Sequence, residues 1–410
     1  MRTLLAGGRV YTAAGIKKCD VIINGTTIFA LTESSYYMEF DQVIRCDNFF
    51  ITPGFKDVHV HFREPGFSYK ETIASGTMAA AHGGYTTVCT MPNLKPAPST
   101  LETLAVQQKR IEKDACIKVL PYGTITADQS GTGSLSKMEE MAPFVAGFSD
   151  DGKGVQPETV MKTAMMKAKE LGKLIVAHCE DERFPTTDPA SEYKQVERDL
   201  QLVEETGCSY HICHVSTAES VELIRQAKKK HLDVTCETAP HYLLFTEDDV
   251  KGRPSFKMNP PLRKEKDRDA LRQAIVEGTV DMIATDHAPH SKEEKSGSFA
   301  NSLFGIVGLE TAFPVLYTRL VKTGFLSLDK LIELLSIAPA KRFGLGEFDV
   351  GNAADLSVWD LEKEYVIHSD DFFSMGKAMP YEGMRVLGEN VLTLVDGEIV
   401  YKRNRKNERL

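Results

Sequence analysis

Between residues 57 and 285 the sequence repeats one alternation: a short β-branched or apolar run, then a longer segment with helical spacing. The runs are DVHVH (57–61), TTVCT (86–90), CIKVL (116–120), VAGFS (145–149), LIVAH (174–178), YHICH (210–214), LDVTC (232–236) and DMIAT (281–285), eight in all. Helical segments follow most of them, at 70–82, 101–113, 157–171, 194–206, 217–230, 266–277 and 308–322. Eight such units predict an α/β fold, a (β/α)8 TIM-type barrel with parallel strands inside and helices outside. Both ends read differently. Residues 1–50 and the last sixty or so hold short strands with turn signals such as Asn24-Gly25 and Asp396-Gly397. Neither end alone offers enough strands to cover a hydrophobic face, so one small β-sandwich built from both termini is expected. The domains are then 1–50 with 347–410, and the catalytic barrel at 51–346.

Charge narrows the class of partner. The formal net charge is −9, with Lys and Arg scattered, which leaves no electrostatic footprint for nucleic acid or an anionic membrane surface. A small-molecule substrate fits better. The start lacks a signal-peptide apolar core and no run reaches membrane-spanning length, so a cytoplasmic protein is expected. The basic tail YKRNRKNERL reads as a solvated terminus. The eight cysteines form no CxxC pair and mostly lie in apolar runs, as reduced, buried thiols do.

In such a barrel the chemistry sits at the C-terminal ends of the strands. There the first run carries His59 and His61, which project from one face while Val58, Val60 and Phe62 project from the other. The second leads to Asn93, the fourth to Asp150 and Asp151, the fifth to His178, the sixth to His214, and the eighth to Asp286 and His290. A single strand-end histidine is more often hydrogen-bonded than a ligand; His82, His211, His231, His241, His287 and His368 keep that reading. Several together at one mouth point to a metal. Imidazole and carboxylate without thiolate suit zinc in an open, catalytic site. Four histidines and two carboxylates converging there exceed one tetrahedral ion and suit two ions that share a carboxylate.

The stretches PGFKDVHVHFREPG, GGYTTVCTMPN, FSDDGKGVQ, AHCED, CHVST, KMNPPLR and IATDHAPH resemble the dihydroorotases (bacterial type I) of the amidohydrolase superfamily, over both the barrel and the split sandwich. That resemblance implies two Zn²⁺ per subunit, bridged by Asp151 and a hydroxide, with His59, His61 and Asp286 at one ion and His178 and His214 at the other. Asp286 is also the implied proton shuttle. Arg63, Asn93 and His290 are implied to hold the carboxylate of the substrate, N-carbamoyl-L-aspartate or dihydroorotate, and Asn259, Phe304 and Gly305 to meet its ring. A carboxylated lysine bridges the metals in related cyclic amidases, whereas this chain has Asp151. A homodimer and an association with aspartate transcarbamoylase are the protein partners the resemblance brings, with a weakly active scaffold subunit or a hydantoinase- or allantoinase-like amidase as the other readings. Segment 291–303 reads as either a mobile lid or an ordinary exposed loop. Two features depart from the family: Leu303 where a proline is usual, and a short 181–193 stretch.

Overall fold

The computed structural model describes residues 1–33, 35 and 38–403; the tail beyond Arg403 lies outside the described residues. The chain opens with β1 (Arg2–Thr12), β2 (Gly15–Asn24), β3 (Thr27–Thr32), β4 (Gln42–Arg45) and β5 (Phe50–Pro53). Eight strands follow: β6 (Phe55–Val60), β7 (Tyr85–Thr90), β8 (Lys118–Pro121), β9 (Gly147–Phe148), β10 (Leu174–Ala177), β11 (Tyr210–Ile212), β12 (Val234–Thr238) and β13 (Met282–Ile283). β14 (Leu356–Val366), β15 (Arg385–Val395) and β16 (Glu398–Lys402) end the described chain.

The terminal strands join in one sheet of order β16-β15-β14-β5-β1-β2-β3, and β4 pairs with β1 beside β5. β1 thus carries two parallel partners in succession, and the sheet folds over a core of its own that includes Leu5, Val21, Ile51, Leu356 and Leu394. This is the expected sandwich of both termini.

The eight middle strands are parallel, as expected, in two arcs. β6-β7-β8 form one and β9 to β13 the other. Isolated parallel bridges close the ring at two seams, Gly123 with Phe148 and Val60 with His287. Every residue of β6, β7 and β10 is buried, which is why these strands read as near-continuous apolar runs: a parallel strand in a barrel has side chains inside and helices outside. Val58, Cys89, Tyr122, Val176, Cys213 and Met282 belong to one buried cluster drawn from six of these segments.

Some elements stop sooner than composition suggests. The runs 145–149 and 281–285 keep only two strand residues each. At the second, Thr285 N–H donates to the Asp57 Oδ2 side-chain oxygen instead of to a backbone carbonyl of a neighbouring strand, and Asp286 turns the chain with φ +48°. The segment expected to be helical over 308–322 begins at Ala312 and widens to a π-helix over Tyr317–Val321. All eight cysteines are free, seven buried and Cys116 half-buried. No helix among the described residues is long and apolar enough to cross a membrane.

Candidate metal centre

Each strand end delivers its side chain to one mouth. His59 is wholly buried, and its Nε2 lies 3.3 Å from Asp151 Oδ1 and 3.4 Å from Asp286 Oδ1. His61 Nε2 stands 3.4 Å from Asp151 Oδ2 and 3.1 Å from Asp286 Oδ1. On the other side of Asp151, His214 Nε2 lies 3.4 Å and His178 Nδ1 3.6 Å from Oδ1. Among the described residues three groups could hold a metal ion: His59–His61–Asp151 and Asp151–His178–His214, which share Asp151, and His59–Cys213–Glu237 behind them, whose Cys213 and Glu237 do not line the cavity.

These residues fit a metal. His59 Nε2 and Asp151 Oδ1 are buried and have no hydrogen-bond partner, a costly arrangement unless something else satisfies both. Burial works against charge on His59, yet Asp151, Cys213 and Glu237 together outweigh it and raise its pKa. Burial likewise opposes charge on Asp151, and His59, His214 and His61 together hold its carboxyl well below the usual range. The Asp151 carboxylate is therefore held ionised where a cation would stand. Two of the six residues, His214 and Asp286, hold left-handed backbone at φ +33° and +48°, a local cost that clusters at functional sites.

Asp150 and Asp151 part company. Asp150 accepts from Ile125 N, Thr126 N and Thr126 Oγ1, so it pins the loop after β8 and offers nothing to the centre. The Asp151 backbone carbonyl accepts 2.6 Å bonds from both Asn93 Nδ2 and Gln129 Nε2.

A cavity of about 240 Å³ opens above the centre, lined by His61, Asp151, His178, His214 and Asp286 and, facing them, by Arg63, Asn93, Asn259, His290, Phe304 and Gly305. Every residue the resemblance assigns to the site lies at this cavity except His59, which is wholly buried; Asp150, singled out with Asp151 by strand position, does not reach it. Arg63 spends only Nε on protein, donating to Pro289 O at 3.2 Å. Its Nη groups donate no hydrogen bond to the described residues. Burial lowers its pKa to about 10, against the pull of Asp286, Asp151, Glu294 and Glu71, so it stays cationic at neutral pH. Glu64 is no partner for it: that carboxylate takes Arg110, Ser68 and Ile73 N. His290 Nε2 sits 2.7 Å from Phe304 O, and burial with the nearby Arg63 and Lys70 drops its pKa to about 4. The segment after it is anchored. Lys295 Nζ donates to Lys257 O and Leu303 O, Lys257 Nζ donates to Phe299 O and Ala300 O, and Tyr69 and Lys70 reach Glu294.

Two carboxylates went unassigned in the sequence. Glu237 Oε1 meets His59 Nδ1 at 2.7 Å and its Oε2 meets His211 Nε2 at 3.1 Å, which brings His211 into the layer behind the centre. Glu180 meets His178 Nε2 at 2.9 Å. Glu237 stands one residue past the run LDVTC, so the rule that located the other strand-end groups reaches it once that strand is drawn to its full length. The remaining histidines with bland readings include His82, paired to Glu310, and His287, beside Glu71.

Residues 50–400 match the Amidohydrolase family. Proteins named dihydroorotase are similar along nearly the whole chain: one from Ligilactobacillus salivarius at 45% identity, covering 99% of this chain and 100% of its own. Others are from Staphylococcus epidermidis at 44% (98% and 100%) and Staphylococcus aureus at 42% (97% and 99%). Among solved structures, an L-hydantoinase (dihydropyrimidinase) from Arthrobacter aurescens superposes with TM-score 0.89 at 26% identity, covering 98% of this chain and 96% of that one. A dihydropyrimidinase from Brevibacillus agri shares the fold, with TM-score 0.87 at 23% identity over 98% and 95%.

Proposed function

The chain belongs to the amidohydrolase family and, within it, to the dihydroorotases, and from that premise we propose that it interconverts N-carbamoyl-L-aspartate and (S)-dihydroorotate in the cytoplasm, in de novo pyrimidine (UMP) biosynthesis. The enzyme is a cyclic-amide hydrolase with a metal centre. The observation that carries the choice of substrate is Arg63, a cationic fork at the cavity wall whose Nη groups bond none of the described residues. Dihydroorotate has a ring carboxylate for that fork; hydantoin and dihydrouracil have none.

In this reading His59, His61 and Asp286 would hold one Zn²⁺ and His178 and His214 a second, with Asp151 available to both. A bound zinc pair supplies Lewis-acid polarisation of a carbonyl and a lowered pKa for water. The chain's own groups do the rest. Arg63 takes the substrate carboxylate in a bidentate pair, flanked by Asn93 and by His290, which stays neutral at pH 7. Asn259 and the backbone at Phe304–Gly305 border the ring. Asp286, held ionised at neutral pH by His61 and its neighbours despite burial, accepts the proton of the attacking water at a carboxylate oxygen and delivers it to the departing ring nitrogen. Ring closure runs the same transfers backwards. Acid and base are one carboxylate.

The test is a zinc-supplemented assay of the purified chain with dihydroorotate, hydantoin, dihydrouracil and allantoin side by side. Losing a charge-assisted pair costs about 1.5–3 kcal/mol, so kcat/KM for dihydroorotate is expected to lead by at least roughly tenfold to a hundredfold. Equal turnover of hydantoin would overturn the assignment.

A further inference from the structure

Glu180 is engaged from three directions by three parts of the molecule. Its Oε2 lies 2.9 Å from His178 Nε2 and accepts a 2.9 Å bond from Asn259 Nδ2, while Oε1 accepts from Thr186 Oγ1 at 2.6 Å. Its main chain is fixed as well: the N–H donates to Gln195 Oε1 and the carbonyl accepts from Gln156 Nε2. The carboxylate is therefore held in place, and what it touches is held with it.

The two nitrogens of an imidazole are not independent. A hydrogen bond from one fixes the proton there and leaves the lone pair on the other. With Nε2–H donating to Glu180, His178 presents the Nδ1 lone pair toward His214 Nε2, 2.9 Å away, and Asp151 Oδ1, 3.6 Å away. Glu237 does the converse for His59, taking Nδ1–H and leaving Nε2 toward Asp151. The two carboxylates stand behind different ligand groups, and they differ in one respect. Glu237 is wholly buried and bonds His59 and His211, whereas Glu180 also bonds Asn259, a side chain on the cavity wall.

We propose that Glu180 is a positioning residue shared by two functions: one carboxylate sets the His178 tautomer for its metal position and holds Asn259 against the substrate ring. The second half rests on the dihydroorotase reading; the first rests on the geometry alone. Because both partners meet the same oxygen, a change at Glu180 reaches metal retention and substrate affinity together, while a change at Asn259 reaches substrate affinity only.

The experiment measures zinc binding to the full chain without substrate, by competition with a chromophoric chelator, and separately KM and kcat for dihydroorotate. Glu180→Ala is expected to weaken one of two zincs by about 10- to 100-fold and leave the other within about twofold, the scale for outer partners of metal ligands. KM is expected to rise by about tenfold. Glu180→Gln, whose amide oxygen still accepts one bond, recovers part of both losses. Asn259→Ala raises KM similarly with both zinc constants unchanged, and adding it to Glu180→Ala raises KM little further. Wild-type zinc affinities in a folded Glu180→Ala protein overturn the proposal, as do KM effects that multiply in the double variant. If the chain binds zinc as described but leaves dihydroorotate untouched, the substrate reading fails and the tautomer half stands on its zinc constants.

Discussion

At the scale of single residues, the side chains at this cavity are sorted by what they have left to give. Asn93 and His290 already spend a bond on protein, through Asp151 O and Phe304 O, whereas Arg63 keeps both Nη groups. Arg63→Ala is expected to raise KM for dihydroorotate by about 10- to 100-fold, from the loss of roughly 1.5–3 kcal/mol of charged hydrogen bonding, with a smaller change in kcat. Arg63→Lys restores only part, because an ammonium cannot form the planar fork. Steady-state kinetics of the two variants decide this; an unchanged KM in Arg63→Ala removes the anion-binding role. The same scale shows where reading the sequence reaches its limit. Residue type and strand position single out Asp151, but they treat Asp150 alike, and only the loop geometry turns Asp150 to Thr126 and Asp151 to the histidines. Glu180 stands in plain view in AHCED, yet its role depends on which nitrogen of His178 faces it, a rotamer that residue types do not encode.

At the scale of elements, buried parallel strands announce themselves as apolar runs, and all eight barrel strands lie within or beside the runs that predict them. Their ends are less legible, because hydrogen-bond ladders stop where a partner turns away: β13 ends where Asp57 takes the Thr285 N–H, and β12 runs on to Thr238 and so carries Glu237. Helix Ile73–His82 shows how tightly such elements are seated. Gly76 faces Phe62, and a Cβ there would stand 2.5 Å from the Phe62 ring. Alanine is better than glycine in a helix by about 1 kcal/mol, but overpacking a full core costs about 1–3 kcal/mol, and Phe62 is wholly buried beside Arg63. Gly76→Ala is therefore expected to destabilise by about 1–2 kcal/mol in chemical denaturation, against the sign that helix propensity alone gives. A more stable variant would show that the helix has room to shift.

At the scale of the whole molecule, the barrel floor buries a charge. Lys56, at the start of β6, is 4% exposed, donates to Gly54 O, and has its pKa lowered by burial from 10.5 to about 8. Below pH 8 both folded and unfolded chains hold the proton and the folded state carries the full penalty of burying it. Between about 8 and 10.5 the unfolded chain binds the proton more tightly, so stability contributed at this site rises with pH, by about 3 kcal/mol in all. Lys56→Met is expected to be more stable than the parent at pH 7 and to lose most of that advantage by pH 10, as thermal melts at the two pH values report. The strand that carries Lys56 also forms one of the two seams of the ring, through Val60 and His287. His59 and His61 come from the arc β6-β7-β8; Asp151, His178, His214 and Asp286 all follow strands of the other arc. On the proposed function, a cation held among them would add a clasp between two half-rings that also meet through isolated bridges, the Thr285–Asp57 bond and a shared buried cluster. Under that proposal the groups that would hold the metal also draw the two arcs together, and its removal would be felt first at the seam between them.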